Sequence, residues 1–335
     1  MPVRVAINGL GRIGRMFFRM AVGHPDIAVV AVNDLADTKT LAHLLKYDSA
    51  HGRFDKTIEA GEGALSVDGT PVTVFNEANP ARLPWQALDI AYVVEATGFF
   101  TDRAGAEKHR AAGARKVVIS APAKQPDITV VLGVNANRYD PARHHLISNA
   151  SCTTNCLAPV AQLLMDRFGI AYGLMTTVHS YTNDQALLDA PHPDLRRARA
   201  AALSMVPTTT GAAKALAEVI PALAGRLDGM AIRVPTPNVS LIDLVVTLST
   251  DADEGAVRAL FAHAAQNEMK GILEYTEAPL VSVDLNGNPH SAIVDGALTR
   301  VMGHRLLKVI AWYDNEWGYA SRLLDLILHM WAREQ

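Results

Sequence analysis

Cysteine is nearly absent from this chain: Cys152 and Cys156 are the only two among 335 residues. Two thiols one helical turn apart are too few for a disulfide framework or for a four-ligand structural zinc site. No metal is expected, and a thiol kept here reads as a reactive group or as core filling. An excess of one charge is also missing, since 31 Lys plus Arg stand against 34 Asp plus Glu, a formal net charge of -3. Chains that bind nucleic acid by neutralising phosphates carry a basic excess or a basic stripe, so no nucleic-acid partner is expected. Apolar runs such as Ile27 to Val32 and Leu244 to Leu248 are far shorter than the roughly 20 residues that span a bilayer, so no membrane partner is expected either. Arg4, Arg12, Arg15 and Arg19 break up the first positions, where a secretory signal would need an apolar core. The expected compartment is the cytoplasm.

What the chain does have is apolar material, 49% of its residues, and enough length for about two domains of 100 to 200 residues each. Up to about residue 150, short apolar strands alternate with helical segments, the pattern of a parallel sheet covered by helices. Strands are expected at Val3 to Ile7, Ile27 to Asn33, Ile90 to Glu95, Lys116 to Ile119 and Thr129 to Val131. Arg12 to Val22 has apolar positions at helical spacing and completes a β-α-β unit. Beyond residue 150 the expectation is a helix at Asn155 to Phe168 and strands at Ala171 to Val178, Met230 to Arg233, Val239 to Leu248 and Leu306 to Trp312. A helix at Asp253 to Asn267 falls among them. This half reads as a mixed or antiparallel sheet with helices on one face. Leu323, Leu324, Ile327, Leu328 and Trp331 form an apolar stripe on a terminal helix that must dock. Ser180 to Thr210 lacks periodicity and is long for a connection, so it is either functional or disordered.

Asn8-Gly9-Leu10-Gly11-Arg12-Ile13-Gly14 follows the first strand and opens the first helix. Glycines there permit a tight turn and let backbone approach a pyrophosphate, while the helix N-terminus offers N–H groups and a favourable dipole. Asp34 ends the second strand, where a carboxylate accepts from ribose hydroxyls and repels a 2'-phosphate, which favours NAD over NADP. The other reading is a turn needed only for packing.

Cys152 sits in Ser151-Cys152-Thr153-Thr154-Asn155-Cys156 at a loop-to-helix junction, where a positive helix end stabilises a thiolate or an oxyanion. An incidental buried cysteine remains open on that segment alone. His179 closes a strand and is a plausible base for the thiol, since an imidazole of ordinary pKa, about 6.5, accepts and returns a proton near neutrality. Spacing does not establish that the two touch. Arg196, Arg197 and Arg199 cluster in the long segment, Arg233 ends a strand, and Thr208-Thr209-Thr210-Gly211 offers hydroxyls and N–H groups at a helix start; guanidinium forks and helix starts suit phosphate oxygens. A surface charge cluster is the alternative for Arg196 and Arg199. A dinucleotide, a thiol and small phosphate sites together point to oxidation of a phosphorylated aldehyde.

These segments, with His179-Ser180-Tyr181-Thr182-Asn183-Asp184-Gln185 and Trp312-Tyr313-Asp314-Asn315-Glu316-Trp317-Gly318-Tyr319, resemble phosphorylating glyceraldehyde-3-phosphate dehydrogenases over nearly the whole chain. The resemblance implies an α/β fold: a Rossmann dinucleotide-binding domain over 1–150, joined by the C-terminal helix 316–335, and an α+β catalytic domain with a mixed sheet over 151–315, with Ser180 to Thr210 as its S-loop. It implies Cys152 as nucleophile and His179 as the residue that activates it. Gly11 belongs to the phosphate turn, and Arg12, Ile13, Asp34, Ser120 and Asn315 match NAD-contacting positions. Ser151, Thr153, Thr182, Arg197, Thr210, Gly211 and Arg233 match two anion sites, for the phosphate of D-glyceraldehyde 3-phosphate and for inorganic phosphate. A homotetramer is implied as well. Asp34-Leu35 keeps the form of NAD-using relatives, whereas Ala190 stands where these often carry leucine and Ala78 where many bacterial members carry a basic residue. The expected cofactor is therefore NAD with some NADP use. An erythrose-4-phosphate dehydrogenase is the sister alternative, and a catalytically silent binding protein is the alternative from another class.

Overall fold

Val3–Asn8, Tyr92–Glu95 and Lys116–Ile119 are runs of mostly β-branched and apolar residues with almost every side chain buried. That is the character of central strands in a parallel sheet covered on both faces. In the computed structural model, which describes residues 1–335, they lie in a 9-stranded sheet. Its order is Ile128–Thr129, Leu146–Ser148, Lys116–Ile119, Tyr92–Glu95, Val3–Asn8, Ile27–Asn33, Thr70–Phe75, Ala64–Val67 and Ile58–Gly61. Only Ala64–Val67 runs against the others, as the middle strand of an edge meander. The sheet belongs to a first unit made of Met1–Val130, Asn137–Ala150 and Ala320–Gln335. The terminal stripe docks in this unit: Ser321 Oγ lies 3.4 Å from Met20 Sδ, and Glu334 accepts from Tyr139 at 2.7 Å.

The second unit comprises Val131–Ala136 and Ser151–Tyr319. Its 7-stranded sheet runs Val206–Thr209, Leu227–Val234, Ile170–Ser180, Ser240–Leu248, Leu306–Tyr313, Ala292–Met302 and Leu273–Thr276. Ile170–Ser180 is parallel to Leu227–Val234, and Leu273–Thr276 is parallel to Ala292–Met302, with the remaining pairs antiparallel. Alternate residues of Ser240–Leu248 are buried, from Ser240 through Ile242, Leu244 and Val246 to Leu248, which marks the face that meets the helices.

Among the expected boundaries that moved, such as the strand at Ile90 to Glu95, which starts at Tyr92, and that at Met230 to Arg233, which spans Leu227–Val234, two have local causes. The strand expected at Thr129 to Val131 stops at Thr129, because Val131 N–H turns to Asn135 Oδ1 at 2.8 Å and starts a turn. The helix expected from Asn155 begins at Cys152, because Ser151 caps it: Ser151 Oγ accepts from Thr154 N–H at 3.0 Å. No helix is long and apolar enough to cross a membrane.

Candidate active site

Strand register assembles the site in the second unit. In the parallel pair, His179 faces Arg233 directly, and in the antiparallel pair on its other side the ladder runs to Val178 opposite Leu241, one residue short of Ser240. Ser240 in turn pairs with Tyr313. Arg233, His179, Ser240 and Tyr313 thus form a row at one end of four adjacent strands. The helix Cys152–Phe168 starts at this end, and its first residue brings Cys152 Sγ to 3.5 Å from His179 Nε2.

The tautomer of His179 follows from its other nitrogen. Nδ1 lies 2.7 Å from Ser180 O, and a carbonyl only accepts, so Nδ1 carries the proton and Nε2 presents a lone pair to the thiol. Arg233 Nη1 also sits 3.1 Å from Nδ1. Two donors cannot bond each other, so Arg233 shares the Ser180 carbonyl, at 3.1 Å, and donates to Thr182 Oγ1 at 3.2 Å.

Burial pushes the Cys152 thiol above its ordinary range, with Arg233 opposing. Burial, aided by the Arg233 charge, holds the His179 imidazole down to about 3. The free imidazole is thus far less basic than expected from its ordinary pKa, because its pocket penalises the cation. Each group is set against a neutral partner. Once the proton moves, opposite charges at this range attract by about 4 kcal/mol at an effective dielectric of about 20, enough to offset much of the burial penalty. Arg233 and the helix N-terminus act on the thiolate in the same sense.

Tyr313, at the end of the row, is tied to its neighbours. Its hydroxyl lies 2.9 Å from Thr153 Oγ1 and 2.8 Å from Thr177 Oγ1, and its ring stands edge-on to His179 with centroids 5.9 Å apart. Thr153, one of the expected anion ligands, therefore directs its hydroxyl into the protein. Ser151 spends its hydroxyl on the helix cap. Thr210 Oγ1 accepts from Ala212 N–H at 3.2 Å just before the helix Ala212–Val219, whose N-cap is the exposed Gly211.

Arg197 is held by Thr208 Oγ1 at 2.9 Å, Thr209 O at 3.2 Å and the Asp184 carboxylate. Arg199 pairs with Asp189 at 3.0 Å with both side chains mostly exposed, which is the surface-charge reading. Asp184, Ser180, Tyr313 and Ser240 received no role from the sequence. The first three lay within the segments that carry the resemblance, but only the fold shows what they touch.

In the first unit, Asp34 receives Leu10 N–H at 2.8 Å and Ala36 N–H at 3.0 Å, so the acid at the end of the second strand braces the glycine turn. Gly9 has φ +93°, and a Cβ on Gly14 would meet Gly9 O at 1.9 Å. A Cβ on Gly11 would meet nothing within 4 Å, and the helix Arg12–Ala21 starts there with no side-chain cap and no acidic residue in its first turn. An open cradle over uncapped N–H groups is what a dinucleotide pyrophosphate requires. Arg12 is turned into an ion pair with Asp48, Ile13 is half-buried, and Ser120 N–H is bonded to Glu95 O at 2.9 Å. In the second unit, Asn315 is buried and accepts from Ser240 Oγ at 2.8 Å.

Residues 3–103 match the model of the glyceraldehyde 3-phosphate dehydrogenase NAD binding domain, and residues 151–315 match that of the glyceraldehyde 3-phosphate dehydrogenase C-terminal domain. The chain belongs to the glyceraldehyde-3-phosphate dehydrogenase family. It is 57% identical over 333 residues to glyceraldehyde-3-phosphate dehydrogenase 2 of Bacillus subtilis (strain 168), covering 99% of this chain and 98% of that protein. Identity is also 57% over 330 residues with the enzyme of Geobacillus stearothermophilus, covering 98% of each chain. With that of Streptomyces coelicolor it is 56% over 328 residues, covering 97% of this chain and 98% of the relative. The first unit thus carries the family's NAD-binding Rossmann domain, and the mixed sheet with its cysteine–histidine pair lies within the match to the family's C-terminal domain.

Proposed function

We infer that this chain oxidises D-glyceraldehyde 3-phosphate with NAD and inorganic phosphate to 1,3-bisphosphoglycerate, through a thioester on Cys152. The observation that carries the assignment is the 3.5 Å contact of Cys152 Sγ with a His179 Nε2 whose lone pair is directed by Ser180. The thiol sulfur attacks the aldehyde carbon while its proton moves to Nε2, leaving a hemithioacetal. The Cys152 N–H at the helix start faces the developing oxyanion. His179 passes the first proton to that oxyanion, which becomes the hemithioacetal hydroxyl, and takes it back as the carbon gives up its hydride and the thioester forms. NAD, held by Gly11, Arg12, Ile13, Asp34, Ser120 and Asn315, supplies the hydride acceptor. Attack of inorganic phosphate on the acyl carbon breaks the C–S bond and releases the acyl phosphate, and the departing thiolate takes the proton back from His179.

Arg233 with Thr182, and Arg197 with Ser151, Thr153, Thr210 and Gly211, make up the two anion sites in this reading. Arg233 Nε is buried without a protein acceptor, which suits a guanidinium awaiting an anion. Thr153 contributes its backbone, since its hydroxyl is committed to Tyr313. The functional division is the Rossmann domain 1–150 with helix 316–335 and the catalytic domain 151–315, with 180–210 as the S-loop. The working form is a cytoplasmic homotetramer. Tyr172, Leu174 and Met302 on the second unit's strands and Leu188, Leu195 and Leu203 in the 180–210 segment are all large, apolar and between 65% and 80% exposed, and supply apolar surface for a subunit interface in this reading.

The relatives reported are all glyceraldehyde-3-phosphate dehydrogenases, and nothing in them favours erythrose 4-phosphate as substrate. The test is NADH formation with each aldehyde phosphate, with and without inorganic phosphate, repeated with NADP. Phosphate-dependent turnover of the three-carbon substrate that disappears in Cys152→Ser is expected; near-normal turnover in that variant would overturn the assignment.

A further inference from the structure

We propose that Ser240 is a positioning residue whose single hydroxyl sets both the amide of Asn315 and, through Ser180, the ring of His179. The proposal rests on the reading of Asn315 as a cofactor contact and His179 as the base. Ser240 is 2% exposed. Its Oγ receives Ser180 N–H at 3.0 Å. A backbone N–H only donates, so the hydroxyl accepts there and has its own proton to give. That proton goes to Asn315 Oδ1 at 2.8 Å. An Nδ2 in that place could only donate to the second lone pair of Oγ and would leave the hydroxyl proton without this acceptor, so the bond favours Oδ1 toward Ser240, with Nδ2 directed elsewhere as the donor.

Ser180 passes the constraint to the base. Its N–H is held by Ser240, its hydroxyl donates to Val239 O at 2.8 Å, and its carbonyl receives His179 Nδ1–H at 2.7 Å. The residue whose carbonyl selects the tautomer of His179 is thus held by its N–H on Ser240 and its hydroxyl on Val239.

The corner that presents Ser240 is strained and pinned. Val239 is buried and has φ +67°, a left-handed conformation that a β-branched residue keeps only when its surroundings impose it. They do: Asn238 Nδ2 donates to Asp314 Oδ2 at 2.8 Å and to Asn286 Oδ1 at 2.6 Å. Asn238 and Ser240 therefore tie one chain segment to the consecutive residues Asp314 and Asn315. Bonds needed only to close the sheet would not require a strained valine between them.

Ser240→Ala keeps the shape and removes the hydroxyl. Two readouts on the full-length enzyme test it, NAD affinity by equilibrium binding and the rate of Cys152 alkylation by iodoacetamide in cofactor-free protein at neutral pH. Each is expected to fall roughly tenfold, the effect of one lost hydrogen bond, while Ser240→Thr stays within about threefold of the parent on both. In an Asn315→Leu background Ser240→Ala should cost no further NAD affinity yet still slow alkylation. A folded Ser240→Ala protein with parental NAD affinity and alkylation, whatever its melting temperature, would overturn the proposal. If that variant does not accumulate, Ser240→Cys, similar in shape but weak as donor and acceptor, carries the same expectations and the same overturning result. Failure of the underlying reading looks different: the parent itself would bind no NAD, or His179→Asn would leave its alkylation unchanged.

Discussion

His179 gives its Nδ1 proton to the carbonyl of its own chain neighbour, Ser180, at 2.7 Å, so a single peptide unit decides that the other ring nitrogen faces Cys152 with its lone pair. Such an orienting acceptor is elsewhere often a carboxylate from a distant segment. Here a neutral carbonyl does it, shared with the Arg233 guanidinium at 3.1 Å, and the imidazole is left without an anion to support its protonated form. That arrangement, together with burial, disfavours the imidazolium and leaves Arg233 and the helix N-terminus to favour the thiolate.

The pair responds to its charges with a definite sign. Replacing His179 by Asn removes the proton acceptor, so kcat should fall by roughly 10²- to 10⁴-fold, and the alkylation profile of the cofactor-free enzyme should move to higher pH. Arg233→Met removes a charge that lowers the thiol pKa and also lowers the imidazole pKa. The thiolate is then less favoured, so alkylation again moves to higher pH, while the imidazole resonances titrate at higher pH than in the parent. Alkylation monitored between pH 5 and 10, with NMR of the histidine ring, checks both directions. A thiol profile moving to lower pH in Arg233→Met would contradict the electrostatic account.

The glycine turn separates folding from cofactor binding. Gly14→Ala places a methyl 1.9 Å from Gly9 O, a backbone clash that should cost about 1–3 kcal/mol or more of stability. Gly11 has φ -66° and ψ -161° with open space over it, a backbone that alanine adopts freely. Gly11→Ala should melt with the parent yet bind NAD about tenfold or more weakly, because the methyl stands where a pyrophosphate approaches. Calorimetry and binding titrations of the two variants would show opposite patterns. Equal NAD affinity in Gly11→Ala would mean that this turn does not carry the dinucleotide.

How far these features were legible in the sequence depended on whether their cause is local. The strand–turn–helix around Gly9 to Gly14 and the Lys116–Ile119 strand follow from short-range spacing, which also raised Cys152 and His179 as candidates whose roles the resemblance supplied. The buried network of Asn8, Asn33, Glu95, His109 and Trp85 was not legible. Its bonds, such as Trp85 Nε1–H to His109 Nδ1 at 3.0 Å, His109 Nε2 to Glu95 at 2.9 Å and Asn33 Nδ2–H to Asn8 Oδ1 at 2.7 Å, join polar residues that are ordinary in their own segments and meet only when the parallel strands align. Ser240 was missed for the same reason. The depressed basicity of His179 was missed because burial is a property of the folded pocket.

Asp48 is a second residue whose role needed the fold. Burial alone would raise its carboxyl pKa, but Arg12 and the N–H groups of His51 and Ala50 hold it well below the usual carboxylate range. A carboxyl lowered in the folded state contributes stability that is fully present above the unfolded value of about 3.9 and is lost as pH falls through the folded value. Asp48→Asn should therefore destabilise the protein by about 1–3 kcal/mol at neutral pH and flatten the acid side of its stability curve below about pH 4. Urea unfolding from pH 7 down to pH 2 measures both, and an unchanged acid limb would show that the Arg12 pair is not coupled to folding.

Asp184 competes for a guanidinium that this reading gives to phosphate. It bonds Arg197, whose other nitrogens meet Thr208 and Thr209 O, and the two side chains are 47% and 19% exposed. An ion pair this open to water is worth about 0–1 kcal/mol, so an incoming phosphate displaces or shares it at small cost. Asp184→Asn should then lower KM for inorganic phosphate by about two- to fivefold at low salt, with kcat little changed and the gain shrinking as ionic strength rises. Arg197→Met should raise the same KM more than about tenfold. Opposite shifts in the two variants identify Asp184 as a rival anion. If Asp184→Asn instead raises KM as far as Arg197→Met does, the carboxylate holds the arginine in place for phosphate and the competition does not exist.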